Sequence, residues 1–238
     1  ERAPADAVAA AYFGLVRDIE GSGLDACVSV KPSQIGLDVG EAAFRENFRR
    51  IVRAGDDHGV FVWCDMEDHE TTDATLDAFE DCAREFSGGV GVCVQANLHR
   101  TREDLERLAD VPGKVRLVKG AYDEPSSIAY EGKADVNEAY REGLEFMFAR
   151  FDDGAVAVGS HDPAMIEHAK ELHEEYGTDF EIQMLMGVRE EAQRELAAEG
   201  YDVWQYAPYG PKWASYFYRR VRERKENLTF ALRAVLGR

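Results

Sequence analysis

Residues 115–122 read V-R-L-V-K-G-A-Y, an aliphatic run with a cation inside it and a glycine closing it. Alternate residues of a strand share one face, so Arg116, Val118 and Gly120 present a cation, a flat aliphatic wall and a gap without a side chain. A planar, electron-accepting ring fits such a surface. A buried guanidinium is costly without a partner, so an anionic or electron-rich group is expected beside Arg116. The alternative is an edge strand with solvated charges. Lys119, by the same alternation, faces away from Arg116.

Other polar side chains stand where apolar runs end. Lys31 precedes Pro32 and can bind a carboxylate, form a Schiff base or lie at a rim. Asp65 closes Phe61-Val62-Trp63-Cys64 and is expected to be partly buried and paired. His161 lies in Gly159-Ser160-His161-Asp162-Pro163, ahead of a proline-started helix whose N-terminus suits an anion such as phosphate. Helix capping by Ser160 and Asp162 is the plainer reading there. Further on, Arg219 and Arg220 sit among Tyr216, Phe217 and Tyr218, able to hold a small carboxylate by forked hydrogen bonds, with Glu223 one turn away to orient a guanidinium. A solvated basic patch is the alternative. No spacing of His, Cys, Asp or Glu suits a metal, and the histidines other than His161 read as surface residues.

Helices are expected over 3–19, 42–54, 72–86, 101–108, 136–148, 163–176, 188–198, 213–222 and 228–236. The one at 101–108 carries a Thr-Arg-Glu-Asp capping signal. Strands are expected over 26–31, 60–65, 91–95, 115–119, 155–159, 180–185 and 203–207. This alternation means parallel strands with helical crossovers. The strand ends deliver Lys31, Asp65, Gln95, Lys119, Ser160–His161, Gln183 and Tyr206, which a barrel gathers at one mouth. No G-x-G-x-x-G follows the first strand and no P-loop occurs, which disfavours a doubly wound sheet. The expected fold is α/β, a (βα)8 TIM barrel over residues 1–238 as a single domain. It lacks its first strand at the N-terminus and carries an extra C-terminal helix.

The 238 residues are 45% hydrophobic and 31% charged, enough for one well-buried domain. No apolar run is long enough to span a bilayer, and the acidic start is unlike a signal peptide. Cys27, Cys64 and Cys93 lie in strand-like runs, and the four cysteines read as buried thiols of a reducing cytoplasm. The net charge of −18, with 7 lysines against 21 arginines, argues against nucleic acid and anionic membranes and resembles proteins of salt-rich cytoplasms.

Seven motifs in order resemble proline dehydrogenase: Val28-Ser29-Val30-Lys31, Cys64-Asp65-Met66-Glu67, Val94-Gln95-Ala96, the segment from Arg116 to Tyr122, Ser160-His161-Asp162-Pro163, Tyr206-Ala207-Pro208-Tyr209-Gly210, and Tyr216-x-x-Arg219-Arg220-x-x-Glu223. The resemblance runs from about Lys31 to the C-terminus. It implies a barrel that binds FAD at its mouth and oxidises L-proline to 1-pyrroline-5-carboxylate, with electrons passed to a quinone or similar acceptor. By this resemblance Arg116 lies beside flavin N5 and Asp65 is the strand-end aspartate of the active site. Met66, Gln95, Val118, Lys119, Gly120 and Ala121 line the isoalloxazine and ribityl chain, Gln183 is a further cofactor contact, and Ser160 and His161 lie near the adenosine diphosphate half. Lys31, Arg219 and Arg220 clamp the proline carboxylate with Glu223 pairing to an arginine, and Tyr206 and Tyr216 complete the substrate side. The implied setting is cytoplasmic, peripheral to a membrane through the quinone, with pyrroline-5-carboxylate dehydrogenase as a partner. Asn97 departs from the pattern, standing where a tyrosine is expected. The alternatives are a Schiff-base barrel lyase using Lys31 or Lys119, which borohydride would trap, and an inactive barrel kept as a binding protein, which would neither bind flavin nor respond to proline.

Overall fold

The computed structural model describes residues 2–210. The expected helices at 213–222 and 228–236 lie outside them, as do Tyr216, Arg219, Arg220 and Glu223. The chain divides into two compact units, Glu1–Phe180 and Glu181–Arg238.

The first unit alternates helix and strand: α1 (Arg2–Ser22), β1 (Val28–Val30), α2 (Glu41–His58), β2 (Val62–Cys64), α3 (Thr72–Glu85), β3 (Val90–Gln95), α4 (Thr101–Leu108), β4 (Lys114–Val118), α5 (Lys133–Arg150), β5 (Val156–Gly159) and α6 (Pro163–Tyr176). Strands β1 to β5 are parallel and pair in chain order. With β3 and β5 on its two sides, β4 is an interior strand, and the edge-strand alternative fails. Strand β6 (Phe180–Leu185) begins at the last residue of the first unit, and in the second unit its residues Glu181–Leu185 pair in parallel with β7 (Asp202–Tyr206), with the helix α7 (Glu190–Ala198) between them in the chain.

Strand parity divides each β-strand of the first unit between two environments. Leu117 faces the helices: the Tyr140 hydroxyl of α5 donates to its carbonyl at 3.1 Å, and a Cβ at Gly143 would meet Leu117 Cδ2 at 2.9 Å. Val62 likewise lies against α2 at Gly55. Phe44, Phe48 and Ile51 of α2, Leu76 and Phe79 of α3 and Leu144 and Met147 of α5 are fully buried there, the apolar stripes their periodicity announces. The register places Ser29, Trp63, Gly91 and Lys114 in one row of the opposite face. The next row holds Cys93, Arg116 and Ala157, and the third holds Gln95, Val118 and Gly159.

The expected bounds of α4, α6 and β6 match those observed, and the other elements differ by a few residues at their ends. One local reading changes. Thr101 does not cap α4: its hydroxyl donates to the Gln95 carbonyl, and Arg100 forks onto Asp104 at 2.9 Å through both Nε and Nη2. The threonine fastens the helix to the end of β3 instead of satisfying the helix's own first turn.

Candidate active site

The second row of the face opposite the helices carries a buried ion pair. Arg116 Nη2 donates to Asp65 Oδ1 at 2.5 Å, and the two residues are only 5% and 6% exposed. The backbone N–H of Asp65 continues the β1–β2 ladder by donating to the Val30 carbonyl at 2.8 Å, so the sheet itself aims the carboxylate. Lys31, one step past β1, brings Nζ to Asp65 Oδ2 at 3.1 Å, and Ser29 donates from Oγ to Oδ1 at 2.6 Å. The Arg116 guanidinium also lies 4.9 Å from the Trp63 ring centre, a cation–π contact. The indole fits because Gly91 is beside it: a Cβ there would run into the six-membered ring, 2.6 Å from Trp63 Cε3. Arg116 thus has both the anionic and the electron-rich neighbour that its position demands.

This arrangement sets protonation. Burial alone would lower the Lys31 pKa, but the charge and hydrogen bond of Asp65 outweigh it, and the ammonium is held above its usual range. Burial pushes Cys64 and Cys93 up as well, so both thiols stay protonated at neutral pH. Cys64, Cys82 and Cys93 are buried, as expected, whereas Cys27, just ahead of β1, is only half-buried.

Above the ion pair two glycines allow close packing. Gly120 adopts φ +108°, open to glycine and strained for other residues, and a Cβ there would overlap the Asn97 side chain. A Cβ at Gly159 would press on Val118 Cγ1 at 2.7 Å and Arg116 Cγ at 3.2 Å. The cation and the aliphatic wall stand as alternation within residues 115–122 anticipates, but the expected gap at Gly120 is filled by the Asn97 side chain. Asn97 is buried there, its Oδ1 without a hydrogen-bond partner among the described residues. Gln95 turns its Nε2 to the Glu67 carbonyl at 2.8 Å, and Glu67 in turn accepts from the Ser33 N–H and hydroxyl at 2.7 and 2.8 Å. Met66 is buried beside Asp65 in the chain, whereas Ala121 is exposed.

Lys119 points away from Arg116, as parity requires. Its Nζ donates to Asn137 Oδ1 at 2.5 Å and Asp162 Oδ2 at 2.7 Å, and that hydrogen bond holds the Asp162 carboxyl below its usual range. Asp162 also caps α6, accepting from the Ala164 N–H at 3.1 Å, while the Asp162 N–H donates to Ser160 Oγ at 3.1 Å. The capping reading holds for this end of the helix. In the second unit Gln183 lies inside β6, short of the strand end, and donates to Glu181 at 2.5 Å; Tyr206 ends β7.

Sequence reasoning missed Ser29, Trp63 and Cys93. Parity carries the signal: Ser29 precedes Lys31 by two, Trp63 precedes Asp65 by two, and Cys93 precedes Gln95 by two. It missed also the strap on the loop after β4, where Glu124 accepts from the His69 backbone N–H at 2.9 Å and hydrogen-bonds the His69 ring. His69 is therefore more than a surface residue.

The family model described as proline dehydrogenase matches residues 2–233. The chain belongs to the proline dehydrogenase family. Proline dehydrogenase 1 of Bacillus subtilis subsp. natto is 37% identical over 216 residues, covering 90% of this chain and 70% of that protein. The proline dehydrogenase of Deinococcus radiodurans is 38% identical over 230 residues, covering 93% and 73%. Among solved structures, proline utilization A from Bdellovibrio bacteriovorus superposes with a TM-score of 0.82 at 24% identity, over 92% of this chain. This chain spans only 28% of that one. The likeness bears out the barrel class of α/β fold, and the family, an oxidoreductase one, is that which the seven motifs resemble.

Proposed function

We propose that this chain oxidises L-proline to 1-pyrroline-5-carboxylate with FAD as its bound redox group. The observation that carries the reading is the buried Arg116–Asp65 pair, with Val118 as an aliphatic wall in the next row of the same sheet face. That surface suits a flat ring, and the cation at its base suits a ring that accumulates negative charge. The chemistry FAD would supply there is that of a hydride acceptor for proline Cδ. Arg116, Met66, Gln95, Val118, Lys119, Gly120 and Ala121 would hold its ring system and ribityl chain, with Gln183 as a further contact. Ser160 and His161 would meet its adenosine diphosphate half.

The remaining roles fall to the chain's own groups. Lys31 is held protonated, so it offers a fixed positive charge to the substrate carboxylate, and Arg219 and Arg220 with Glu223 complete the clamp. Such a clamp orients the ring before reaction, worth more to the rate than its ground-state affinity suggests. Tyr206 and Tyr216 close over the pyrrolidine. Asp65, already bonded to two cations, tunes the loss of the amine proton; full activity in Asp65→Ala would remove that role. In this reading residues 1–238 act as one cofactor-binding domain in the cytoplasm. The electrons leave to a quinone or similar acceptor at a membrane surface, and a pyrroline-5-carboxylate dehydrogenase consumes the product. No described helix is long and apolar enough to cross a membrane.

Lys31 is ion-paired to Asp65 and Lys119 to Asp162, so neither resembles the neutral amine that a Schiff base requires. The test is proline-dependent reduction of an artificial dye by the purified chain supplied with FAD. Turnover with L-proline supports the proposal. No turnover, with borohydride fixing a carbonyl compound to Lys31, would overturn it in favour of lyase chemistry.

A further inference from the structure

Ser29 has no role in the account above, yet its hydroxyl joins the two halves of the buried pair. Ser29 Oγ is 2.6 Å from Asp65 Oδ1 and 3.4 Å from Arg116 Nη2, while Arg116 Nη2 is 2.5 Å from that same Asp65 oxygen. The three atoms form a closed triangle. A hydroxyl carries one hydrogen and two lone pairs, so it can donate to the carboxylate and accept from the guanidinium at once. Ser29 belongs to the row beneath the ion pair, level with Trp63. Its backbone is anchored from the other side, because the Tyr12 hydroxyl of α1 donates to the Ser29 carbonyl at 3.0 Å. Helix α1 is thereby tied to the sheet at the residue that supports Asp65.

We propose that Ser29 is a positioning residue for proline oxidation: its hydroxyl holds the Asp65 carboxylate in line with Arg116. The role rests on the function proposed above. Arg116 from β4 and Lys31 past the end of β1 bond Asp65 directly, and Cys64 from β2, Cys93 from β3, Tyr12 from α1 and Tyr122 from the loop after β4 are close enough to interact with its charge. The two cations favour the ionised carboxylate, and the thiols and phenols are neutral near pH 7. Removing the hydroxyl takes one hydrogen bond from the charged form and so raises the pKa of Asp65.

The test uses Ser29→Ala and Ser29→Thr in the full chain loaded with FAD, with kcat and KM for proline measured across the acid limb. Ser29→Ala is expected to lose about 10- to 100-fold in kcat, the worth of one hydrogen bond to a charged group. Its acid limb should move up by about one pH unit, and KM should change less than kcat. Ser29→Thr keeps the hydroxyl and should restore both values. If Ser29→Ala does not fold, Ser29→Cys, a weak donor of similar size, carries the same expectation. A second readout needs no turnover: the pH titration of Trp63 emission in the cofactor-free chain, identified by its loss in Trp63→Phe, should move upward in Ser29→Ala and not in Ser29→Thr. Unchanged kcat, acid limb and emission midpoint in Ser29→Ala would overturn the proposal. An inactive wild type with a shifted emission midpoint would instead overturn the function and leave Ser29 as the support of Asp65.

Discussion

A guanidinium and a carboxylate persist in an interior only when each is the other's partner, and the asymmetry between keeping and breaking such a pair makes Asp65 testable. Asp65→Ala leaves Arg116 buried beside an uncharged hole and releases Lys31 from its anchor. A loss of about 3–5 kcal/mol in unfolding free energy is expected by urea denaturation, with little or no proline oxidation remaining. Burial, reinforced by Asp65 and Cys64, pushes the Tyr12 phenol from its ordinary 10.0 up to about 12. A folded pKa above the unfolded one gives a contribution that is complete below pH 10 and is lost as pH rises through about 12. It is on the order of 2–3 kcal/mol. In Tyr12→Phe the stability curve should lack that alkaline step, as measured by urea unfolding at a series of pH values. The need for a partner at Arg116 was legible from the cost of burying it; the identity of Ser29 as a third member was not, because a serine in a strand is unremarkable until the register sets it beneath a charge.

At the scale of elements, helix and strand alternation was readable from periodicity, since each amphipathic helix and each apolar run obeys its own repeat. What the repeat cannot supply is the fit between rows. Trp63 lies over Gly91 of the adjacent strand, a pairing 28 positions apart in sequence, read from the register. Gly91→Ala would displace the indole against which Arg116 lies. A loss of about 1–3 kcal/mol is expected for this overpacking, with kcat falling more than KM rises. Thermal unfolding and steady-state kinetics on the same sample would check both. The loop from β4 to α5 is a further case. Composition marks it only as a loop, but Leu98 and Ala129 form an antiparallel bridge, the His99 and Tyr130 rings meet edge to face at 4.5 Å, and Glu124 straps it to His69. Glu124→Ala should free it. Limited proteolysis is then expected to cut within residues 121–131 faster than in the wild type, and an unchanged rate would show that the bridge suffices.

For the whole molecule the dominant physical fact is the charge of −18. Carboxylates this dense repel one another at low ionic strength, and added salt screens that repulsion. The melting temperature should therefore rise as potassium chloride is raised from millimolar to molar levels; a flat or falling curve would show that the surface ion pairs of Arg45, Arg49 and Arg107 outweigh the repulsion. Charge excluded partners but could not name chemistry. The family was legible because seven short motifs, each weak alone, occur in one order along the chain, and the match to residues 2–233 spans nearly all of it. The substrate clamp was legible only as a motif, since Arg219, Arg220 and Glu223 lie outside the described residues. The central claim is flavin-dependent oxidation of proline, and the most direct measurement is the visible absorbance of the FAD-loaded chain, recorded anaerobically before and after L-proline. The account predicts a bound-flavin band that bleaches on adding proline. A bound-flavin band that proline leaves unchanged would contradict it.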